Sequence, residues 1–547
     1  MPKLDWRPHF PLETPRADQA KALDWICEQY EAGHRVVIAE LGTGIGKSAI
    51  AVTVGRWLEA REGNASSVCD NKATTYNPGA TVLTSQKVLQ DQYVRDFKDA
   101  RDLRSSANFK CSGPVGGTCG ETSRVRRAVI DQTKPWDPKN ETLRCNACPY
   151  RAAKDDFVAS PLGITNYSYF LSESTYAGEI PPRRLLVLDE AHNVEDEVRR
   201  WTSVEVSETD ASKLGEDLEE ARRDPQKWLY EKYKPAIEKK LQATGTKLKK
   251  FVKAGGLGNA VVKDLANEND VQDKRLCQLN RLASKGGELL VSWHDDPIKH
   301  KTTVRFQPLD VTGLVQDTLF SRASAVLMMS ATLLDPAVFK KSVGQPDAPY
   351  LSIPTPFKKE AFGLKFRPVG KMTMAEIDKT LRDYPKAIRK ILADNPDSKG
   401  IIHTTNYKIT RALAEGLKGE RRLLIQASAR DREDILRRHL SSTEPTVIVS
   451  PSMMEGLDLR DDLGRFQVMC KVPYPDMGDP IVKHRDREWY SWRTVRTLVQ
   501  AIGRGVRSEK DWTITYILDL SFLDLLERAT DMIPEHLRKG LVVEDAF

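Results

Sequence analysis

"RVVIAELGTGIGKSAIAV", residues 35–52, decides how the rest of the chain reads. Val36 to Ala39 form a short apolar run of the buried-strand kind, and the residues from Ser48 onward have helical composition. Strand, glycine-rich loop and helix in that order are the context in which a Gly-Lys-Ser motif binds phosphate. Gly42, Gly44 and Gly46 let the backbone curl so that successive N–H groups face phosphate oxygens. The helix N-terminus adds partial positive charge. Thr43 lies in the same cradle, Lys47 reaches the β- and γ-phosphates, and Ser48 ligates magnesium. ATP and Mg²⁺ are therefore the expected ligands. The loop departs from the strict pattern at Leu41, where glycine is usual.

Two further stretches supply partners for this loop. "RRLLVLDEAH", residues 183–192, places Asp189 and Glu190 at the C-terminal end of a buried strand, where open α/β sheets assemble sites. Asp189 is expected to hold Mg²⁺ and Glu190 to orient and deprotonate the attacking water, with His192 coupling nucleotide state to a neighbouring domain. "QAIGRGVRSEKD", residues 500–511, carries Gln500, Arg504 and Arg507 at helical spacing, near one face. A solvated patch would use the same residues. The functional reading is an arginine finger, brought by a second domain to stabilise charge on the transferring phosphoryl group.

A chain of 547 residues exceeds what one hydrophobic core serves, so several domains are expected. Strands and helices alternate through the N-terminal third, and a second alternation begins near residue 345, giving two α/β domains. Residues 101–150 are rich in Gly, Pro and Ser, and residues 203–303 are charged and helical; both read as insertions. The expected organisation is 1–100, 151–202 and 304–344 for the first domain, interrupted by the insertions 101–150 and 203–303, with 345–547 as the second. A formal charge of +7 is a mild bias towards polyanion partners. With no apolar run long enough for a bilayer and no leader, the expectation is a cytoplasmic protein without a membrane partner. Cys27, Cys69, Cys277 and Cys470 are scattered, as small buried hydrophobes are. Cys111, Cys119, Cys145 and Cys148 instead cluster as Cx7C–x25–CxxC, the usage of metal ligands. Zinc and an iron–sulfur cluster both fit four thiolates.

Taken in chain order, these motifs resemble the superfamily 2 helicases of the XPD/DinG type. "PRADQ", with Arg16 and Gln19, is similar to that family's adenine-side motif. "ELGTGIGKS", "DEAHNVED", "MMSATL", "GIIHTT", "VSPSMMEGLDL" and "QAIGRGVR" follow in the family's order. The resemblance implies two RecA-like parallel-sheet motor domains, with an iron–sulfur insertion and a helical arch insertion in the first. It implies a [4Fe–4S] cluster on the four clustered cysteines, with Zn²⁺ the alternative, and nucleotide contacts from Gly456 and Asp458. It further implies a monomeric ATP-dependent DNA helicase that moves 5′-to-3′ on single-stranded DNA and opens forked duplexes. Thr84, Ser85, Asn166, Tyr167, Thr404 and Thr405 are the expected strand contacts, and Tyr150 a ring for base stacking. Two alternatives stay open: a translocase or protein-displacing remodeller that does not unwind, and a non-catalytic nucleic-acid-binding scaffold. The presence of Lys47, Asp189, Glu190, Gln500, Arg504 and Arg507 together weighs against the scaffold.

Overall fold

The apolar runs become the strands of two sheets in the computed structural model, which describes residues 4–62, 67–68, 75–85, 87–111, 116–129, 148–177, 180–254, 259–296, 301–454 and 459–545. The first sheet is built from β1 (Val36–Leu41), β2 (Ser67–Val68), β3 (Thr75–Thr84), β4 (Ala100–Asp102), β5 (Leu162–Asn166) and β6 (Arg183–Asp189). An insertion contributes β7 (Val204–Ser207), β8 (Leu289–Asp296) and β9 (Lys301–Pro308), after which β10 (Ala323–Ser330) and β11 (Tyr350–Ile353) return to the first sheet. Its order is β11-β1-β10-β6-β3-β5-β4, with β2 on β3. From β10 to β4 the strands run parallel, and every residue of β6 is buried. Parallel strands covered on both faces need near-continuous apolar runs, which is how "LLVL" reads.

The second sheet holds β12 (Phe362–Gly370), β13 (Gly400–His403), β14 (Leu423–Ile425), β15 (Val447–Ser450), β16 (Phe466–Met469), β17 (Thr513–Asp519) and β18 (Leu541–Val543). Its order is β14-β15-β13-β16-β17-β12-β18, with parallel pairs throughout. Apolar clusters lie among its strands and helices, one on Phe366, Val495 and Phe522 and another on Tyr384, Ile388 and Val468. The chain divides into two compact units, one of residues 1–39, 47–329 and 340–351, the other of residues 40–46, 330–339 and 352–547. The loop 40–46 groups with the second set because Pro354–Phe357 lies directly on its glycines.

Both insertions contain more regular structure than expected. The strands β7, β9 and β8 form a three-stranded antiparallel sheet that carries the second insertion past residue 303 to Pro308, packed through Phe306 and Val304 on Trp228, Tyr233 and Leu279. The two long helices of the insertion are Lys234–Lys253 and Ala260–Lys285. Within 101–150, β4 is still a strand of the main sheet, and Cys119–Val129 is a helix. No helix of the described residues is long and apolar enough to cross a membrane.

Candidate nucleotide and nucleic-acid site

The loop after β1 uses its glycines for two separate reasons. Gly44 and Gly46 have φ of 93° and 89°, the left-handed region that costs glycine nothing. Gly42 and Gly44 are also approached closely: a Cβ at Gly42 would overlap the backbone of Thr355, and one at Gly44 would overlap the ring of Phe357. Thr355 Oγ1 donates to Thr43 O at 2.9 Å. The helix Lys47–Glu62 begins at Lys47, so Lys47 and Ser48 occupy its first turn, where unpaired N–H groups favour anions.

At the end of β6 the Asp189 carboxylate is 4% exposed. Tyr93 Oη donates to Asp189 Oδ2 at 3.4 Å, the Glu190 N–H donates to Oδ1 at 3.0 Å, and Tyr167 Oη donates to Asp189 O at 2.9 Å. The Ser48 side chain is near enough to pull against the rise that burial imposes on the Tyr93 phenol, so one buried phenol stands beside both expected magnesium-holding residues. Burial, and then the Glu190 charge, push the Asp189 carboxyl up to about 6, against the opposing pull of Lys47. Two neighbouring carboxylates with one lysine leave an anionic surplus that a divalent cation neutralises; the donor set fits Mg²⁺. Glu190 itself sits at φ 53°, a left-handed conformation that a non-glycine residue holds at a cost of about 1 kcal/mol or more. Its Oε2 lies 3.3 Å from His192 Nδ1.

In the second unit the helix Arg487–Ile502 carries Gln500, whose Nε2 donates to Thr332 Oγ1 at 3.1 Å. Two turns earlier Trp492 Nε1 donates to Leu333 O at 2.6 Å. The expected common helical face for Gln500, Arg504 and Arg507 is corrected here. The α-helix stops at Ile502, Gly503–Gly505 is a 3₁₀ turn, and Val506 is extended. Gly505 is pressed against Thr513, leaving no room for a Cβ, so the chain turns away and Arg507 N–H donates to Asp511 Oδ2 at 3.1 Å. Gly456 and Asp458 lie outside the described residues. Arg16 is the exposed N-cap of the helix Ala17–Glu31, and Gln19, buried, accepts the Arg16 N–H on its Oε1 at 2.9 Å.

The expected strand contacts fall at strand ends. Thr84 and Asn166 are register partners closing β3 and β5; Thr84 is buried and Ser85 half-buried. Asn166 Oδ1 accepts from Tyr169 N at 2.9 Å, capping the helix Tyr167–Thr175, and Tyr167 is buried beneath Asp189. Beyond β13, Thr404 is buried with its hydroxyl 2.6 Å from Thr410 Oγ1. Thr405 has φ 60°, and its buried hydroxyl has no hydrogen-bond partner. The stacking role expected of Tyr150 is corrected: its ring is buried, with the Lys154 ammonium 4.6 Å from the ring centre and Phe109 packed 5.5 Å away.

Three of the four clustered cysteines are described; Cys145 lies outside the described residues. An antiparallel bridge pairs Lys110 with Thr118, and Cys119 N–H donates to Phe109 O at 2.9 Å. Cys119 Sγ lies 3.6 Å from Cys148 Sγ, and Cys111 Sγ lies 3.0 Å from Thr122 Oγ1. Burial, and then Cys148, push the Cys119 thiol up to about 12. Two sulfurs this close ionise together only with a cation between them; among the described residues no group of three or more potential metal ligands is gathered. Tyr93, Thr355 and Phe357 were not anticipated from sequence; each acts through a contact distant in the chain.

The family model described as Helicase C-terminal domain matches residues 388–540, and the DEAD_2 model matches residues 122–211. The ATP-dependent DNA helicase YoaA of Escherichia coli (strain K12) is 21% identical over 604 aligned residues, covering 93% of this chain and 92% of that protein. The Regulator of telomere elongation helicase 1 of Rattus norvegicus is 33% identical over 112 residues, 17% of this chain and 9% of that protein. Among solved structures, an XPD helicase superposes with a TM-score of 0.64 at 15% identity, covering 98% of this chain and all of that one. The structure of S. tokodaii Xpd4 gives 0.57 at 15% identity, covering 97% of this chain.

Proposed function

We propose that this chain, a member of the XPD/DinG-like superfamily 2 helicases, is an ATP-dependent DNA helicase that moves along single-stranded DNA. The observation that carries the reading is the end of β6. There a buried aspartate is held by two tyrosines and followed by a strained glutamate, and Lys47 is near enough to lower its pKa. In this reading the loop N–H groups and Lys47 bind the triphosphate, and Ser48 and Asp189 hold magnesium. When bound, the cation neutralises charge on the phosphate oxygens. Glu190 orients the attacking water and accepts its proton, and its left-handed backbone aims the carboxylate away from the strand. Arg504 and Arg507 supply positive charge to the transferring phosphoryl group. Gln500 ties that helix to Thr332, the residue after Ser330-Ala331. Lys47→Ala should reduce single-strand-stimulated ATP turnover below detection; turnover at the wild-type rate would refute the assignment.

Asn166 closes β5, and Ser85 and Thr405 follow the ends of β3 and β13, the place where such sheets meet ligands; these three are assigned to the DNA backbone, whereas the Thr84, Tyr167 and Thr404 side chains are buried and are not. Translocation 5′-to-3′ is inferred from the family resemblance, and duplexes tailed on one end or the other test it. The same forked substrates separate unwinding from movement without unwinding. Cys111, Cys119, Cys145 and Cys148 are assigned to a [4Fe–4S] cluster, which when bound supplies the core of a lobe with few apolar residues of its own. Iron and sulfide quantitation after anaerobic purification decides it; a colourless protein with one zinc overturns it. We assign the motor to the cytoplasm as a monomer.

A further inference from the structure

The chain's positive charge is not evenly spread. The helix Lys234–Lys253 holds seven lysines and one glutamate, a surplus of six in a chain whose formal charge is +7. At 3.6 residues per turn, Lys239, Lys250 and Lys253 fall opposite the buried line of Ile237, Thr244 and Leu248, with Lys247 and Lys249 on either side. All five are exposed. Among the described residues no carboxylate lies within ion-pair distance of them, whereas Lys240, nearer the packed face, pairs with Glu268 at 3.0 Å. An ordinary solvated helix face intersperses both signs of charge; the arc from Lys249 round to Lys247 carries lysines only, and the helix's one acid, Glu238, stands at its edge beside Lys249.

The face is also held firmly. Leu248, between Lys247 and Lys249, packs with Val262, Ala266 and Val125, and Val125 belongs to the helix that starts at Cys119. Arg124 Nη1 donates to Asn267 Oδ1 at 2.6 Å and Arg127 pairs with Asp270 at 2.5 Å. The small apolar core thus joins the lysine helix to the cysteine lobe, and the polar ties join that lobe to the neighbouring helix Ala260–Lys285.

We propose that this outer face binds the phosphate backbone of duplex DNA. Duplex carries one charge per about 1.7 Å of axis irrespective of sequence, and the lysines from Lys239 to Lys253 of this helix offer a rigid row about 21 Å long. Single strands are held by stacking as well as charge, and this helix has one ring, Phe251, at the margin of the face. Lysines, as mobile point charges without base-reading geometry, suit backbone contact. The proposal rests on the motor reading for its purpose, to keep the unopened duplex beside the cysteine lobe, but not for its test.

The test uses the full chain without nucleotide, with a labelled blunt duplex and an oligothymidylate in a salt series. In K239Q/K247Q/K250Q/K253Q the log–log salt slope for the duplex should fall by about 3 to 4, and duplex affinity at low salt should drop at least about tenfold. Oligothymidylate affinity and the turnover it stimulates should stay within about twofold. The K239R/K247R/K250R/K253R variant should bind duplex like wild type, which separates lost charge from lost folding. An unchanged duplex slope overturns the proposal, as does an equal loss in the control K379Q/K386Q/K418Q from the second unit, or a loss confined to oligothymidylate. Absence of stimulated turnover in the wild type would instead overturn the motor reading and leave duplex binding to stand or fall by its own slope.

Discussion

Two strands, one in each sheet, end in the same unusual way and in opposite chemistry. β6 ends in buried Asp189 and then Glu190 at φ 53°; β13 ends in buried His403 and Thr404 and then Thr405 at φ 60°. Both sheets place a non-glycine residue in left-handed backbone at the carboxyl end of an inner strand, where α/β folds gather ligands. At the end of β6 a buried acid, Asp189, and a half-buried one, Glu190, stand with Lys47 as counter-charge, an arrangement that calls for a cation. After β13 the corresponding groups are hydroxyls and an imidazole that burial holds at about 4, therefore neutral at physiological pH. The same backbone device thus follows an ionisable acid in one lobe and neutral side chains in the other. What decides between them is the side chain that precedes the turn.

The comparison is most exposed at Glu190. Glu190→Gln keeps size and backbone but removes the base, so kcat should fall about 10²–10⁴-fold while thermal stability stays within a few degrees. A fall of less than tenfold would make the two turns alike.

His403 gives the next effect. Its folded value is about 4 against an ordinary 6.5, so the unfolded chain takes up the proton first. Stability should be flat above about pH 6.5 and decline as pH drops towards 4, by on the order of 3 kcal/mol in all. Urea titrations across that range measure it, and His403→Gln should remove that part of the decline.

Thr405→Gly should relieve left-handed strain, stabilising the protein by about 1 kcal/mol, while weakening single-strand affinity severalfold. Stabilisation without loss of affinity would leave the turn after β13 without a functional role. Tyr93→Phe should be smallest: losing one hydroxyl between Ser48 and Asp189 costs about 1 kcal/mol, read as a severalfold rise in the Mg²⁺ or Mn²⁺ concentration needed for half-maximal turnover, with isothermal metal binding as the second readout.

Much of the fold was legible because the first sheet's strands are short apolar runs with motifs at their ends, so Lys47 and Asp189–Glu190 could be read within a dozen residues each. Where partners are remote the reading stopped. β7 and β9 pair across about a hundred residues, Glu205 with Arg305 among them, and the charged helices between them concealed the sheet. Tyr93 lies in a helix whose spacing marks it only as apolar; its hydroxyl matters because β6 ends beside it. Tyr150 was misjudged for the converse reason, since adjacency to Cys148 says nothing of the Lys154 and Phe109 that cover its ring. Arg507 was placed on a helix that Gly503 and Gly505 end.

The bonds from Trp492 to Leu333 and from Gln500 to Thr332 pin one helix at points about 12 Å apart along its axis. A rod pinned twice cannot roll about its length. Any displacement of residues 332–333 must therefore shift the whole segment as a lever, and Arg504, just past its far end, moves in step.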